Sequence, residues 1–103
     1  MTTPRILVIL GPTASGKTRV AIDVARQVGG EIISADSRQA YRGLEVGTAA
    51  PTAAERAEIP HHGIGFLEPG ERYGAGRFAR LALNWIEEIE DREQVPIVAG
   101  GTG

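Results

Sequence analysis

Residues 5–18 read "RILVILGPTASGKT". After one arginine comes an unbroken apolar run to Leu10, bounded by Pro4 and Gly11, which is the composition of a strand buried on both faces of a parallel sheet. The next eight residues, Gly11 to Thr18, fit the pattern G-x-x-x-x-G-K-[ST]. Its glycines let backbone amides turn inward around phosphate oxygens. A helix opening at the end of the loop adds unpaired N–H groups and the positive end of its dipole. In such a loop Gly11, Pro12, Thr13, Ala14, Ser15 and Gly16 form the anion cradle, Lys17 holds the outer phosphates and Thr18 ligates magnesium. The plainer reading is a glycine-rich turn with a surface lysine. Strand, loop and helix in that order favour the phosphate site.

Downstream, Ala21, Val24, Ala25 and Val28 recur at helical spacing over Thr18–Val28, with Arg19, Asp23, Arg26 and Gln27 between them. Gly29 and Gly30 stop that helix, and "EIISA", residues 31–35, reads as a second strand. Strand, helix and strand make a right-handed crossover unit. The expected class is α/β, a three-layer sandwich with a parallel sheet like that of P-loop nucleoside triphosphatases, incomplete within this chain.

The middle is less regular. Thr52 is placed to cap a helix over Ala53–Glu58, with Glu55 at the reciprocal position of a capping box. Between 63 and 76 stand glycines at 63, 65, 70, 74 and 76 together with Pro69, which reads as a flexible or ligand-facing loop. From about Gly76 a helix carries Phe78, Leu81, Ala82, Trp85 and Ile89 on one stripe. At that spacing Trp85 belongs to a core rather than to a base-stacking platform. "VPIVAGG", residues 95–101, is the last strand, and the following glycine turn reads as an incomplete domain.

The 103 residues suffice for one compact domain, and 42% hydrophobic content suits a folded chain. No apolar run is long enough to cross a bilayer, and no leader pattern opens the chain. The sequence holds no cysteine, so disulfides and thiolate metal sites are excluded and a cytoplasmic setting is expected. Net charge is −2, a weak argument against nucleic acid. It is unevenly spread: Glu87, Glu88, Glu90, Asp91 and Glu93 crowd around Arg92, while bases outnumber acids elsewhere. All bases but Lys17 are arginines, the better residue for bidentate phosphate contact. His61 and His62 are adjacent and lack a third ligand nearby, so they read as ordering the loop that follows rather than as a metal site.

A phosphate loop does not choose a reaction. Nucleoside triphosphatases of this kind usually place a second acid at the end of a core strand, and "PIVAGG" has none. The acid in such a position is Asp36, after "EIISA", on the edge where a parallel sheet opens toward ligand. Asp36 is therefore the candidate for handling an acceptor, although an aspartate that merely caps a helix would look the same.

Taken together, "GPTASGKT", "ISADSRQAYRGLEVGTAAP", "PHH", "YGAGRF" and "GGTG" resemble the N-terminal part of the tRNA dimethylallyltransferases, also called tRNA isopentenylpyrophosphate transferases. The resemblance covers essentially the whole chain. It implies that residues 1–103 are the N-terminal part of a P-loop prenyltransferase catalytic domain, with the rest of the domain and the tRNA-binding insertion absent. The implied reaction moves a dimethylallyl group from dimethylallyl diphosphate to N6 of the adenosine 3′ of the anticodon, with magnesium, tRNA as partner, no membrane, and a monomer at full length. Gly11 to Thr18 would hold the diphosphate, with Lys17 as counter-charge and Thr18 on the metal. Asp36 would deprotonate or orient the amine, Thr102 would bond the leaving oxygen, and Ser37, Arg38 and Gln39 would meet the tRNA. A transfer needs no activated water, which accounts for the missing second acid. Departures from the family pattern are Ala50, where a lysine is common, and Gly63, Gly65, Gly74 and Gly76, which read as loosening the approach to the last helix. The alternatives are an isopentenyltransferase acting on free adenine nucleotides, an ATP-dependent nucleotide or small-molecule kinase, and a non-catalytic truncated paralogue.

Overall fold

Apolar strands need cover on both faces, and the strands of this chain receive it unequally. A computed structural model describes residues 6–11, 17–43 and 51–101. Pro12, Thr13, Ala14, Ser15, Gly16, Ala50 and Thr102 lie outside the described residues, and for Gly11, Lys17 and Thr18 only the backbone is described. The elements are β1 (Leu7–Gly11), α1 (Lys17–Val28), β2 (Gly30–Ser34), α2 (Ser37–Ala40), α3 (Ala53–Glu58), β3 (His61–His62), α4 (Ala75–Asp91) and β4 (Val95–Gly101). The strands form one parallel sheet in the order β1-β4-β2-β3.

The register explains both layers. Leu7 pairs with Ile97, and Ile97 with Ile32, so these three side chains lie in a row facing α1. There they meet Ala21, Ile22 and Ala25, all but fully buried. The intervening positions, Val8, Val98 and Ile33, point to the other face, which α4 covers over β4 and β2. The chain steps outward from β1 to β2 with α1 on one face, then back from β3 to β4 with α4 on the other. Right-handed crossovers require that alternation.

Two expectations from the sequence are corrected. Among the described residues β1 is not buried on both faces: it lies at the edge of their sheet, and Ile6, Val8 and Leu10 are 47%, 61% and 66% exposed because α4 stops short of it. Nor is the start of the glycine-rich segment a loose loop. Gly65 N donates to Gln39 O at 2.8 Å, Phe66 N and Leu67 N donate to Ala40 O at 2.8 and 2.9 Å, and Arg42 N donates to Leu67 O at 2.9 Å. Leu67 is buried, and the Trp85 ring stands edge-on to Phe66 at 5.7 Å. Gly63 has φ +88°, and a Cβ there would lie 2.9 Å from the Ser34 carbonyl and 3.4 Å from the Trp85 ring. Glycine is required at this crossing. Trp85 belongs to the packing, as its helical spacing indicated.

The expected cap of α3 is present. Thr52 and Glu55 form a reciprocal capping box on α3. An Arg26 guanidinium ties α3 to α1 by pairing with Glu58, and also bonds Asp23 at 2.9 Å. The two histidines diverge. Nδ1–H of His61 donates to the Ile59 carbonyl at 2.7 Å, while Nε2–H of His62 donates to Glu31 at 2.8 Å. Glu31 is buried and also takes two bonds from Arg92, at 2.8 and 2.6 Å, which clamps the C-terminus of α4 to β2.

These groups set an acid dependence. Burial holds His61 below the ordinary histidine value, so the unfolded chain protonates it first and stability falls as pH drops below about 6.5. The Arg92 hydrogen bond holds Glu31 below the usual carboxylate range, so its contribution is present above about pH 4.3 and is lost as pH falls further. The urea midpoint should decline in two stages on acidification, and His61→Asn should remove the first alone. A midpoint that stays level from about pH 7.5 to pH 5 would discount the histidine.

Candidate active site

Three strands deliver their ends to one rim. Leu10 is in register with Gly100, Gly11 with Gly101, and Ser34 with Ala99. The phosphate-loop pattern therefore leaves β1, "GGT" leaves β4, and "DSRQ" leaves β2 on the same carboxyl edge, where parallel α/β sheets bind ligands. α1 begins at Lys17, so its N-terminal amides open on that rim as well.

Asp36 is held there by its backbone. Ala35 N donates to Ala99 O at 2.8 Å, which ties the exit of β2 to β4. Asp36 then takes an extended conformation, φ −83° and ψ 111°, as the N-cap of α2. Its Oδ1 accepts from Arg38 N at 3.0 Å and lies 3.5 Å from Arg38 Nε. Its Oδ2 is buried and has no hydrogen-bond partner among the described residues. A buried carboxylate oxygen left unpartnered costs about 1–3 kcal/mol or more, and such exceptions concentrate at sites with chemical work to do. Capping therefore occupies one oxygen of the carboxylate and leaves the other without a partner among the described residues.

Beneath it lies a polar knot that sequence reasoning missed. Ser34 Oγ donates to Gln39 Oε1 at 2.9 Å, and both residues are buried. Gln39 therefore turns inward, whereas Ser37 and Arg38 face outward. Ser34 and Gln39 also line a small cavity of about 20 Å³ with Pro51, His61, Ile64 and Ala99. Nε2 of His61 is buried without a partner among the described residues. A serine closing a buried strand directly after Ile32 and Ile33, in "EIISADS", was the available signal.

This architecture, a parallel sheet flanked by helices with a phosphate-loop pattern leaving its first strand, places the chain in the P-loop α/β class. Comparison with known proteins narrows it. The profile described as IPP transferase matches residues 39–103, and that described as isopentenyl transferase matches residues 4–60. A tRNA dimethylallyltransferase of Anaeromyxobacter sp. (strain Fw109-5) is 61% identical over 99 residues, covering 96% of this chain and 33% of that relative. The crystal structure of a tRNA isopentenylpyrophosphate transferase from Staphylococcus epidermidis superposes with TM-score 0.90 at 48% identity, over 97% of this chain and 33% of that one. A eukaryotic dimethylallyltransferase solved while acting on tRNA gives TM-score 0.83 at 33% identity, over 93% of this chain and 24% of its own. The chain belongs to the IPP transferase family and is homologous to the tRNA dimethylallyltransferases, which are prenyltransferases. It spans about a quarter to a third of the length of these relatives.

Proposed function

We propose that this chain forms the donor-holding and amine-handling part of an enzyme that transfers a dimethylallyl group from dimethylallyl diphosphate to N6 of the adenosine 3′ of the anticodon in tRNA. The observation that carries the reading is the divided carboxylate of Asp36: one oxygen fixed by a backbone amide, the other buried, unpartnered and on the rim that the phosphate-loop pattern enters. Residues 1–103 then correspond to the N-terminal part of the catalytic domain, the full protein acting as a cytoplasmic monomer.

An exocyclic adenine amine is a poor nucleophile because its lone pair is delocalised into the ring. As its nitrogen forms a bond to C1 of the dimethylallyl group, the C1–O bond breaks and its electron pair leaves with the diphosphate. The amine proton passes to Oδ2 of Asp36, which offsets the positive charge developing on nitrogen. Gly11 to Lys17 neutralise the leaving diphosphate, and Thr102, one residue past β4, donates to the departing oxygen. Ser37 and Arg38, on the outer side of α2, meet the tRNA backbone. Gln39, held by Ser34, borders the place of the extruded base. Magnesium takes few protein ligands alongside phosphate oxygens, and the oxygen-bearing residues of this rim, Thr18 among them, suit such a hard cation; when bound it would add charge neutralisation at the diphosphate.

Transfer of labelled dimethylallyl group to unmodified tRNA by the complete gene product tests the reading, with AMP and ATP as parallel arms. Label in tRNA is the expected result. Label in AMP alone would make free nucleotides the acceptor, a reading that the isopentenyl transferase match over residues 4–60 also accommodates. Phosphate transfer from ATP, with no prenyl transfer, would replace both.

A further inference from the structure

A carbonyl oxygen only accepts, so the 2.7 Å contact between His61 and Ile59 O fixes the imidazole proton on Nδ1. In the neutral ring Nε2 then carries a lone pair and no hydrogen. Burial holds the ring in that neutral form. Yet Nε2 is itself buried and meets no donor among the described residues. Acceptors stranded in this way are costly and rare in folded proteins.

The surroundings show what would match it. The cavity of about 20 Å³ beside the ring has an apolar wall that includes Ala21, Ile32 and Ile64, and a polar wall of Ser34, Gln39 and His61. One water needs about 10–15 Å³ and two to four polar partners, so the space suits a single water and nothing larger. Ser34 spends its proton on Gln39 Oε1, which leaves lone pairs on Oγ, and the amide nitrogen of Gln39 has two hydrogens that this bond does not use. A water among the three donates to His61 Nε2 and Ser34 Oγ and accepts from the Gln39 amide. We propose that His61 is a positioning residue for the transfer: it holds one water in this cavity, and the water locks the side-chain amide of Gln39.

On the proposed function Gln39 borders the extruded base, and the role of His61 rests on that reading. One bond from Ser34 anchors the amide oxygen but leaves the group free to tilt; a second anchor on the nitrogen removes that freedom. Gln39 N donates to Asp36 O at 3.1 Å, so this amide and the carboxylate belong to one turn. A misplacement of about 1 Å at a reacting pair can cost about 10²-fold in rate. His61 acts only through Gln39.

Variants of the complete gene product and a crystal structure of it test the role. His61→Asn keeps a donor for the Ile59 carbonyl and lacks an acceptor at the Nε2 position, which the longer His61→Gln restores. His61→Asn should lower single-turnover transfer to tRNA by about tenfold or more with affinity for dimethylallyl diphosphate unchanged, and His61→Gln should recover most of the loss. Gln39→Ala has no amide to lock, so adding His61→Asn to it should cost less than about twofold further. The crystal structure should show one water within about 3 Å of both His61 Nε2 and the Gln39 amide nitrogen. No water there, transfer by His61→Asn within about twofold of the parent, or losses that simply add in the double variant overturn the proposal. So does a loss that His61→Gln leaves unrelieved while thermal midpoints fall in parallel, the mark of a purely structural histidine. A parent that moves no prenyl group to tRNA defeats the proposed function instead, and the water in the crystal then decides whether His61 holds the amide.

Discussion

Asp36→Asn should reduce dimethylallyl transfer by about 10²- to 10⁴-fold while leaving the fold in place. The expectation rests on the unequal duties of the two carboxylate oxygens. Asparagine caps helices as well as aspartate does, so its amide oxygen can still accept from Arg38 N, where Oδ1 now sits at 3.0 Å. Its other polar atom is a donor, and cannot take a proton from an amine where Oδ2 could. Asp36→Ala loses both duties and should add about 1 kcal/mol of destabilisation from the lost cap. Single-turnover transfer together with a thermal midpoint for each variant separates the two. If the asparagine variant keeps activity within about threefold of the parent, or loses as much stability as the alanine variant, the division of labour is wrong.

Gly63→Ala should destabilise the chain by about 2–5 kcal/mol, which combines left-handed backbone strain with overpacking. That is a large share of a typical domain stability of about 5–15 kcal/mol. The added methyl would meet the Ser34 carbonyl at 2.9 Å, a backbone atom that cannot swing aside. Ser34 is two residues before Asp36 and supports Gln39 from below, so transfer should fall along with stability. Gly70→Ala is the control: its φ is +95°, yet a Cβ there meets nothing within 4 Å. It should show backbone strain alone, about 1–2 kcal/mol. Urea midpoints that fall equally for both would refute the crossing of Gly63 over Ser34 as the cause.

The elements legible in the sequence were those built from local signals. The apolar run before the phosphate-loop pattern, the period of α1, the capping box at Thr52 and Glu55, and the stripe of α4 each depend on neighbours within a few residues. What escaped was set by distant contacts. The sequence of β1 suits an edge strand and a central one alike, because its second face is decided by whatever lies over it. The glycines from 63 onward looked like freedom, but at Gly63 the backbone needs glycine's φ and at Gly65 the amide is bonded to α2. Composition cannot distinguish permission from necessity. Glu31, His62 and Arg92 meet across most of the chain, and no local pattern announces such a clamp. Asp36 was legible as a residue of interest, but a sequence does not separate the two oxygens of one side chain, of which one caps α2 and the other has no partner among the described residues.

The strand order β1-β4-β2-β3 also governs the history of the molecule. The strand that joins β1 to β2 is the last of the four to leave the ribosome, so Leu7 must wait for Ile97 before it has a strand partner. Until then the first strand and its phosphate-loop pattern are exposed as an unpaired apolar ribbon, the kind of nascent segment that chaperones hold and that aggregates when synthesis stalls. Pairing over such separations is also slow. Assembly of the sheet and completion of the candidate site are therefore one late event, in which the central strand arrives carrying Gly101 to the rim.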